Sequence, residues 1–480
     1  MTFASYNFLF LFLPAAVLLY TVFRTSSYRN VVLVLLSYTF YAWGQGWLVI
    51  LLILCSVVDY GMSHVVARAA TNRTRNFALM CSLVLNLGLL AALKYAGWLA
   101  GGINQAAPLL GLTITLPGVD IPLPPGISFY TFQNISYIVD VYRRKLSPER
   151  RFIDYASSVA FFPLLVAGPI ERPARLLPQI RRVRARPGWR KIESALFMIV
   201  IGLVKKLVFA DNLAHMVQLS YQRISIPGAG WILMYAFGFQ IYMDFSAYTD
   251  IARGTARLFN VHLSRNFRTP YFSTSPSEFW RRWHISLSTW IRDYVYIPLG
   301  GSRSTAVMVA LVTLATMLLG GLWHGAGLFF ILWGGYHGLL LVLYRLVPLH
   351  KLLPLLLGRV IGTAAAIAIL FHLVFFGWVL FWADATTFPR IFESMAQLVR
   401  LGGVVPAEQR LDMWMLAYGL LIFATPPMVI DYLAWRRGRD FAELGVVLSP
   451  VPKAALYLAG YFLIVFFAAR SSYAFIYFQF

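Results

Sequence analysis

Residues 304–344 read STAVMVALVTLATMLLGGLWHGAGLFFILWGGYHGLLLVLY, with no Asp, Glu, Lys or Arg between the bracketing Arg303 and Arg345. A bilayer core of about 30 Å takes roughly 20 apolar residues per helix. The stretch therefore predicts a hairpin of two membrane spans, near 304–322 and 326–344. Lys and Arg collect in cytoplasmic loops, so both ends of the hairpin face the cytoplasm. His324 is the midpoint, placed either at the far turn or at a glycine-broken point within the membrane, among Gly320, Gly321, Gly325 and Gly327. Glycines let backbone or substrate approach closely, and apolar surroundings favour the uncharged imidazole, which accepts a proton. The competing reading is a histidine that caps a helix end. His337, in Gly334-Gly-Tyr-His-Gly338, repeats the pattern more weakly and reads as a packing or orienting residue.

The rest of the chain agrees with this hairpin. Of 480 residues, 59% are hydrophobic and 12% charged, about half the roughly 25% charge of soluble domains. No linker-like shift in composition divides the chain, so it reads as one integral-membrane domain, 1–480, not as a string of soluble domains. Further spans are expected near 6–23, 30–43, 47–66, 77–99, 127–142, 194–213, 230–252, 361–382, 412–434 and 455–475. Those at 30–43 and 127–142 are short for a crossing. The run 152–168 has basic clusters on both sides and reads as re-entrant, buried within protein. The opening, Met1 to Arg24, has no basic residues ahead of its apolar run and is expected to be a retained span.

Orientation follows from charge. Arg143, Arg144, Lys145, Arg150 and Arg151 form one basic cluster. Arg172, Arg175, Arg181, Arg182, Arg184, Arg186, Arg190 and Lys191 form a second. Eight Arg lie in 253–303, and Arg436, Arg437 and Arg439 end the series. All are assigned to the cytoplasm. The loop 100–126, with five Pro and Asp120 as its one charge, belongs outside. Counting crossings gives about 11 to 12 spans with both ends outside. The net charge of +22 thus reflects loop placement, and nucleic acid is excluded as a partner. Cys55 and Cys81 lie in apolar runs and make no disulfide framework or metal motif.

Ionisable groups at membrane depth are functional candidates by default. His64, His350, His372, His215 and His262 read as interfacial or structural. His284 lies in Glu278-Phe-Trp-Arg-Arg-Trp-His-Ile-Ser-Leu-Ser288, where Ser275, Pro276 and Glu278 form a capping box that starts a helix. Read as one helix, Trp280, Trp283, Leu287, Trp290, Ile291 and Tyr294 form an apolar stripe, with Arg281, Arg282, Thr289, Arg292 and Asp293 off it and His284 on its edge. The plain alternative is an interfacial helix with a Trp/Arg belt. Asp244 and Asp250, with Ser246 and Thr249, lie near the inner end of span 230–252 and are read as orienting a histidine, binding a cation or, foremost, pairing with loop arginines. Glu171 is expected to meet a nearby Arg. P-loop, G-x-S-x-G and H-E-x-x-H motifs are absent, as are metal-ligand spacings and a dinucleotide fingerprint, so no metal or bound cofactor is expected.

These residues resemble the membrane-bound O-acyltransferase family, and within it the alginate O-acetyltransferase type of bacterial polysaccharide export systems. The resemblance covers most of the chain: Asn7-Phe-Leu-Phe-Leu-Phe-Leu-Pro14, Ser37-Tyr-Thr-Phe-Tyr-Ala-Trp43, Pro125-Gly-Ile-Ser-Phe-Tyr-Thr-Phe132 with Asp140-Val-Tyr142, Ala167-Gly-Pro-Ile170, Asp244-Phe-Ser-Ala-Tyr-Thr-Asp250, the Glu278–Ser288 segment and Gly321-Leu-Trp-His-Gly325. It implies an all-α polytopic fold with a central funnel, His324 as the catalytic histidine and His284 as the second characteristic one. It also implies a place in the bacterial inner membrane and separate periplasmic or membrane-anchored acetyltransferase partners. The segment Gly168-Pro-Ile-Glu-Arg-Pro173 looks as much like the exopolysaccharide and cell-wall acetylating relatives, which leaves the acceptor polysaccharide open.

The expected chemistry is acyl transfer from cytoplasmic acetyl-CoA to a hydroxyl presented from outside. His324 is the general base, and His284 positions a substrate or donates a hydrogen bond to the oxyanion. Trp323, Trp280, Arg281, Arg282, Asp244 and Ser246 are the expected substrate-binding residues. Arg281, Arg282 and Arg292 suit CoA phosphates or lipid headgroups alike. The rival classes are a polysaccharide or acyl-carrier flippase with a proton relay, and a non-catalytic scaffold of an export complex.

Overall fold

Lipid offers no partner for backbone N–H and C=O groups, so a chain this apolar satisfies them within helices. The computed structural model is helical, with no strand among the described residues. These are 2–23, 25–118, 123–166, 168–182, 187–438, 441–446, 448–471 and 473–478. Met1, Arg24, Asp120, Ala167, Arg184, Arg186 and Arg439, used above, lie outside them. The chain divides into two compact units, Met1–Ala195 with Ala252–Ser264 and Leu196–Ile251 with Arg265–Phe480.

The first unit contains α1 (Leu13–Val22), α2 (Ser26–Gln45), α3 (Val49–Arg68), α4 (Asn72–Ala106), α5 (Ile127–Tyr142), α6 (Phe152–Val159), α7 (Phe162–Leu165) and α8 (Pro173–Arg181). Short and buried on nearly every side, α5 is a core helix. It joins a buried polar chain: Asp59 of α3 accepts from Ser82 and from Asn86 Nδ2 (3.0 and 2.9 Å) of α4, Asn134 donates to Asn86 (3.3 Å), and Tyr155 donates to Asn134 (3.0 Å). The run 152–168 is not one span. It forms α6 and α7, fully buried at Tyr155, Ala156, Phe161 and Phe162. They are broken where Pro163 opens α7 and Ser37 accepts the Phe162 N–H (3.1 Å).

Into the second unit runs α9 (Trp189–Val204). After it come a π-helical stretch (Lys205–Ala210), α10 (Asp211–Gln222), α11 (Ala229–Leu258), α12 (Pro276–Arg282), α13 (Ile285–Ile291), α14 (Ala306–His324), α15 (Leu328–Leu346), α16 (Leu349–Leu357), α17 (Arg359–Trp382), α18 (Thr387–Arg400), α19 (Arg410–Arg437) and α20 (Pro450–Phe467). Among the described residues seven helical stretches are long and apolar enough to cross a membrane: Tyr28–Arg68, Asn72–Leu110, Ala306–His324, Leu328–Leu346, Arg359–Trp382, Ala407–Arg437 and Pro450–Phe467. The first of these contains two of the expected spans. The remaining expected spans form shorter or more polar helices, as in α11 with Asp244, Asp250, Arg253 and Arg257.

The hairpin at 304–344 forms as its sequence dictates. Thr305 caps α14 by accepting the Met308 N–H (3.4 Å). At the α14–α15 crossing a Cβ on Gly321 would strike the Phe330 carbonyl, and one on Gly334 the Met317 carbonyl. Only glycine lets the two backbones come this close. The span expected at 455–475 ends early, at Phe467. Beyond it, 468–471 and 473–478 fold back into the unit because buried groups there offer them partners. Ala469 N–H donates to the Leu207 carbonyl (3.0 Å), Lys206 Nζ to the Tyr473 carbonyl (3.0 Å), and Ile476 N–H to Asp244 Oδ2 (2.8 Å).

Candidate active site

His324 is the last residue of α14, at the turn of the hairpin, and is 6% exposed. Its ring is enclosed by Trp323, Trp333, Phe381 and Tyr477, with centroids 4.7, 5.0, 5.2 and 5.6 Å away. A cavity of about 580 Å³ ends at this ring. Its lining includes Ala306, Val309, Ala310, Thr313, Thr316, Met317, Gly320 and His324 of α14. That spacing of three and four follows a single helix face. At 1.5 Å per residue, Ala306 and His324 stand roughly 27 Å apart along the axis. The cavity thus runs from the Ala306 end of α14, which follows Arg303, toward the histidine at the other.

The rim carries Arg281, Arg292, Arg345 and His350, with the three arginines exposed. The walls are mainly apolar. Trp280 Nε1, Trp333 Nε1 and the Tyr344 hydroxyl are buried without a hydrogen-bond partner among the described residues. Buried donors are normally bonded, and these three side chains belong to the cavity lining.

His284 is placed differently from the sequence expectation. The helix begins as expected at Ser275, whose Oγ accepts the Glu278 N–H (3.3 Å). The Glu278 carboxylate reaches back to the Thr274 N–H (2.8 Å). But α12 stops at Arg282, and His284 adopts φ 42° and ψ 53° before α13 begins, so the continuous stripe with His284 on its edge does not form. The segment at 266–268 competes for the backbone at the break. Arg268 N–H donates to the Arg282 carbonyl (3.0 Å), Ile285 N–H to the Asn266 carbonyl (2.9 Å), and Asn266 Oδ1 accepts the Ser286 N–H (3.2 Å). His284 is 0% exposed, and neither ring nitrogen has a hydrogen-bond partner among the described residues. Its ring meets Phe245 at 4.6 Å, Trp323 at 6.1 Å and Tyr477 at 6.3 Å. Burial pushes its imidazole down to about 3, so it is neutral.

Trp323 therefore stands between the two histidines, while Trp280 and Arg281 line the cavity. Arg282 does not line it. It pairs with Glu278 (2.8 Å) and donates to Thr269 Oγ1 (3.1 Å). Asp244 pairs with Lys206 (2.9 Å), not with a loop arginine, and accepts from Ile476. Lys206 also pairs with Asp211 (2.8 Å). Asp250 pairs with Lys205 (2.7 Å). Ser246 Oγ donates to the Met243 carbonyl (3.3 Å). Asp244 and Ser246 thus lie off the cavity wall. Glu171 accepts the Ser264 N–H. His337 is 1% exposed, stacked on Phe279 at 6.1 Å and edge-on to Trp333 at 5.0 Å.

Sequence reasoning passed over several residues. Thr313 and Thr316 mark the cavity face of α14, hydroxyl side chains at helical spacing in an otherwise greasy helix. Two adjacent lysines in an apolar run, Lys205 and Lys206, signal buried ion pairs. His350 was read as structural, and only the fold of α15 and α16 brings it to the rim. Tyr477 and Trp333 carry no local signal. Among the described residues no group of three or more His, Cys, Asp or Glu gathers as a metal site.

A family model described as MBOAT, membrane-bound O-acyltransferase family, matches residues 1–353. The chain is 38% identical over 400 residues to the probable alginate O-acetylase AlgI of Pseudomonas aeruginosa, covering 82% of this chain and 75% of that relative. It is 32% identical over 433 residues to the peptidoglycan O-acetyltransferase of Helicobacter pylori, covering 83% and 79%. A teichoic acid D-alanyltransferase of Streptococcus thermophilus matches at 30% identity over 236 residues, 45% of this chain and 56% of that protein.

Proposed function

The chain belongs to the membrane-bound O-acyltransferase family, and from that premise we propose that it takes an acetyl group from cytoplasmic acetyl-CoA and passes it to a hydroxyl on the extracytoplasmic side. The acceptor is a polysaccharide, alginate or a similar exopolysaccharide or cell-wall glycan, and the site of action is the bacterial inner membrane. The cavity that runs along α14 and stops at His324 carries this reading. Exposed guanidiniums at its rim suit phosphates, which they bind by charge-assisted hydrogen bonds. Its apolar walls, with the Trp280, Trp333 and Tyr344 donors, suit a long arm bearing amide carbonyls. Relatives named for O-acetylation of alginate and peptidoglycan support a glycan acceptor.

In this reaction the acceptor oxygen attacks the thioester carbonyl carbon while neutral His324 takes its proton. The C–O bond forms and the C–S bond breaks. The imidazolium then returns the proton to the departing sulfur, leaving an O-acetyl ester and free CoA thiol. A general base contributes roughly 10²–10⁴ in rate. His284, fully buried, acts on this site through Trp323, whose ring it meets at 6.1 Å.

The test supplies labelled acetyl-CoA to the purified protein in liposomes with a glycan acceptor. Ester-linked label on the acceptor, lost in His324→Ala at unchanged expression, is the expected result. Undiminished transfer by His324→Ala removes the histidine from the mechanism. Movement of glycan driven by a proton gradient without any acyl donor would make the chain a transporter.

A further inference from the structure

The cavity reaches His324 along the face of α14 that carries Thr313, Thr316 and Gly320. Behind the imidazole the neighbours are rings: Trp323 at 4.7 Å, Phe381 at 5.2 Å and Tyr477 at 5.6 Å. None of the three is part of the cavity lining. Phe381, from α17, is 2% exposed and is itself held by Phe330 (5.1 Å), Trp333 (5.2 Å) and Trp378 (5.7 Å). Interiors packed this densely do not yield to an added methylene without displacing a neighbour.

A thioester that enters from the basic rim and brings its carbonyl to His324 has its carrier arm behind it in the cavity. Its acyl chain then points the other way, at the rings. We propose that Phe381, backed by Trp323 and Tyr477, closes the acyl end of the site and restricts the transferred group to acetyl size. The inference rests on the acyl-transfer reading above and names the residue that sets its donor range. Phe381 touches the base that the reaction uses, and its part is selection, not proton transfer.

The experiment compares kcat/KM for acetyl-, butyryl- and octanoyl-CoA in the wild type, Phe381→Ala and Phe381→Leu, all in liposomes. One methylene too many in a fitted pocket is worth about 10–200-fold. The wild type should therefore lose at least about tenfold between acetyl and butyryl. Phe381→Ala should raise the butyryl-to-acetyl ratio by at least about tenfold, with Phe381→Leu between them. A variant damaged only in its packing would slow every donor alike and leave the ratio fixed, and that outcome overturns the proposal. So does a wild type that transfers octanoyl as readily as acetyl. Should Phe381→Ala fail to fold, a ratio unmoved in Phe381→Leu is the overturning result. A wild type inert with all three donors sinks the acyl-transfer reading itself, and the wall with it.

Discussion

His324 and His284 share two aromatic neighbours, Trp323 and Tyr477, yet only His324 opens on the cavity. Substitution should separate them. His324→Ala is expected to cut acetyl transfer by about 10² or more while the thermal transition in detergent stays near that of the wild type. His284 should behave oppositely in stability, since it is buried in a left-handed conformation that Asn tolerates better than most residues. Its pH dependence has a definite sign. Folded, the ring titrates near 3; unfolded, near the ordinary 6.5. Between those values the unfolded chain binds a proton that the folded chain refuses, so stability falls as pH drops through the window. Thermal unfolding at pH about 7.5 and about 5.5 should show this loss, and His284→Asn should reduce the difference between the two.

At the scale of elements, the site depends on how closely α14 and α15 cross. Gly321→Val forces the helices apart at the turn below His324. Overpacking of this kind costs about 1–3 kcal/mol, so the melting temperature and acetyl transfer should fall together. The folded-back stretch 473–478 depends on charge. Lys206, 5% exposed, serves Asp211, Asp244 and the Tyr473 carbonyl at once. Lys206→Met leaves two carboxylates without their cation, a loss of about 3–5 kcal/mol for a buried pair. Chemical or thermal unfolding in detergent should register that loss. Equal stability in the variant would mean that the segment is held by its backbone hydrogen bonds and aromatic packing without the lysine.

For the whole molecule, the basic loops and the cavity make one statement about sidedness. Arg281, Arg292 and Arg345 stand at the end of the cavity that the positive-inside rule assigns to the cytoplasm. A Thr313→Cys variant, with Cys55 and Cys81 replaced by Ala, puts a thiol on the cavity face of α14. A membrane-impermeant thiol reagent should label it in inside-out vesicles and not in right-side-out ones, and CoA should slow the labelling. Labelling from the outer face alone would reverse the assigned direction of donor entry.

Apolar runs, their lengths and the basic residues between them were enough to establish an all-helical membrane chain, the hairpin at 304–344 and His324 at its midpoint. That information is local: hydropathy and charge act on each segment through the bilayer, whatever the neighbouring helices do. The capping box at Ser275 is local too, and it forms. The end of that helix was not legible, because Arg282, Ile285 and Ser286 bond to a strip of backbone and an Asn some 20 residues away in sequence instead of to their own helix. The cavity wall was hidden for the same reason. Trp333 and His350 reach that wall from separate helices, and Phe381 and Tyr477 meet His324 from still others; side-chain packing across helices sets these meetings, which no single stretch encodes.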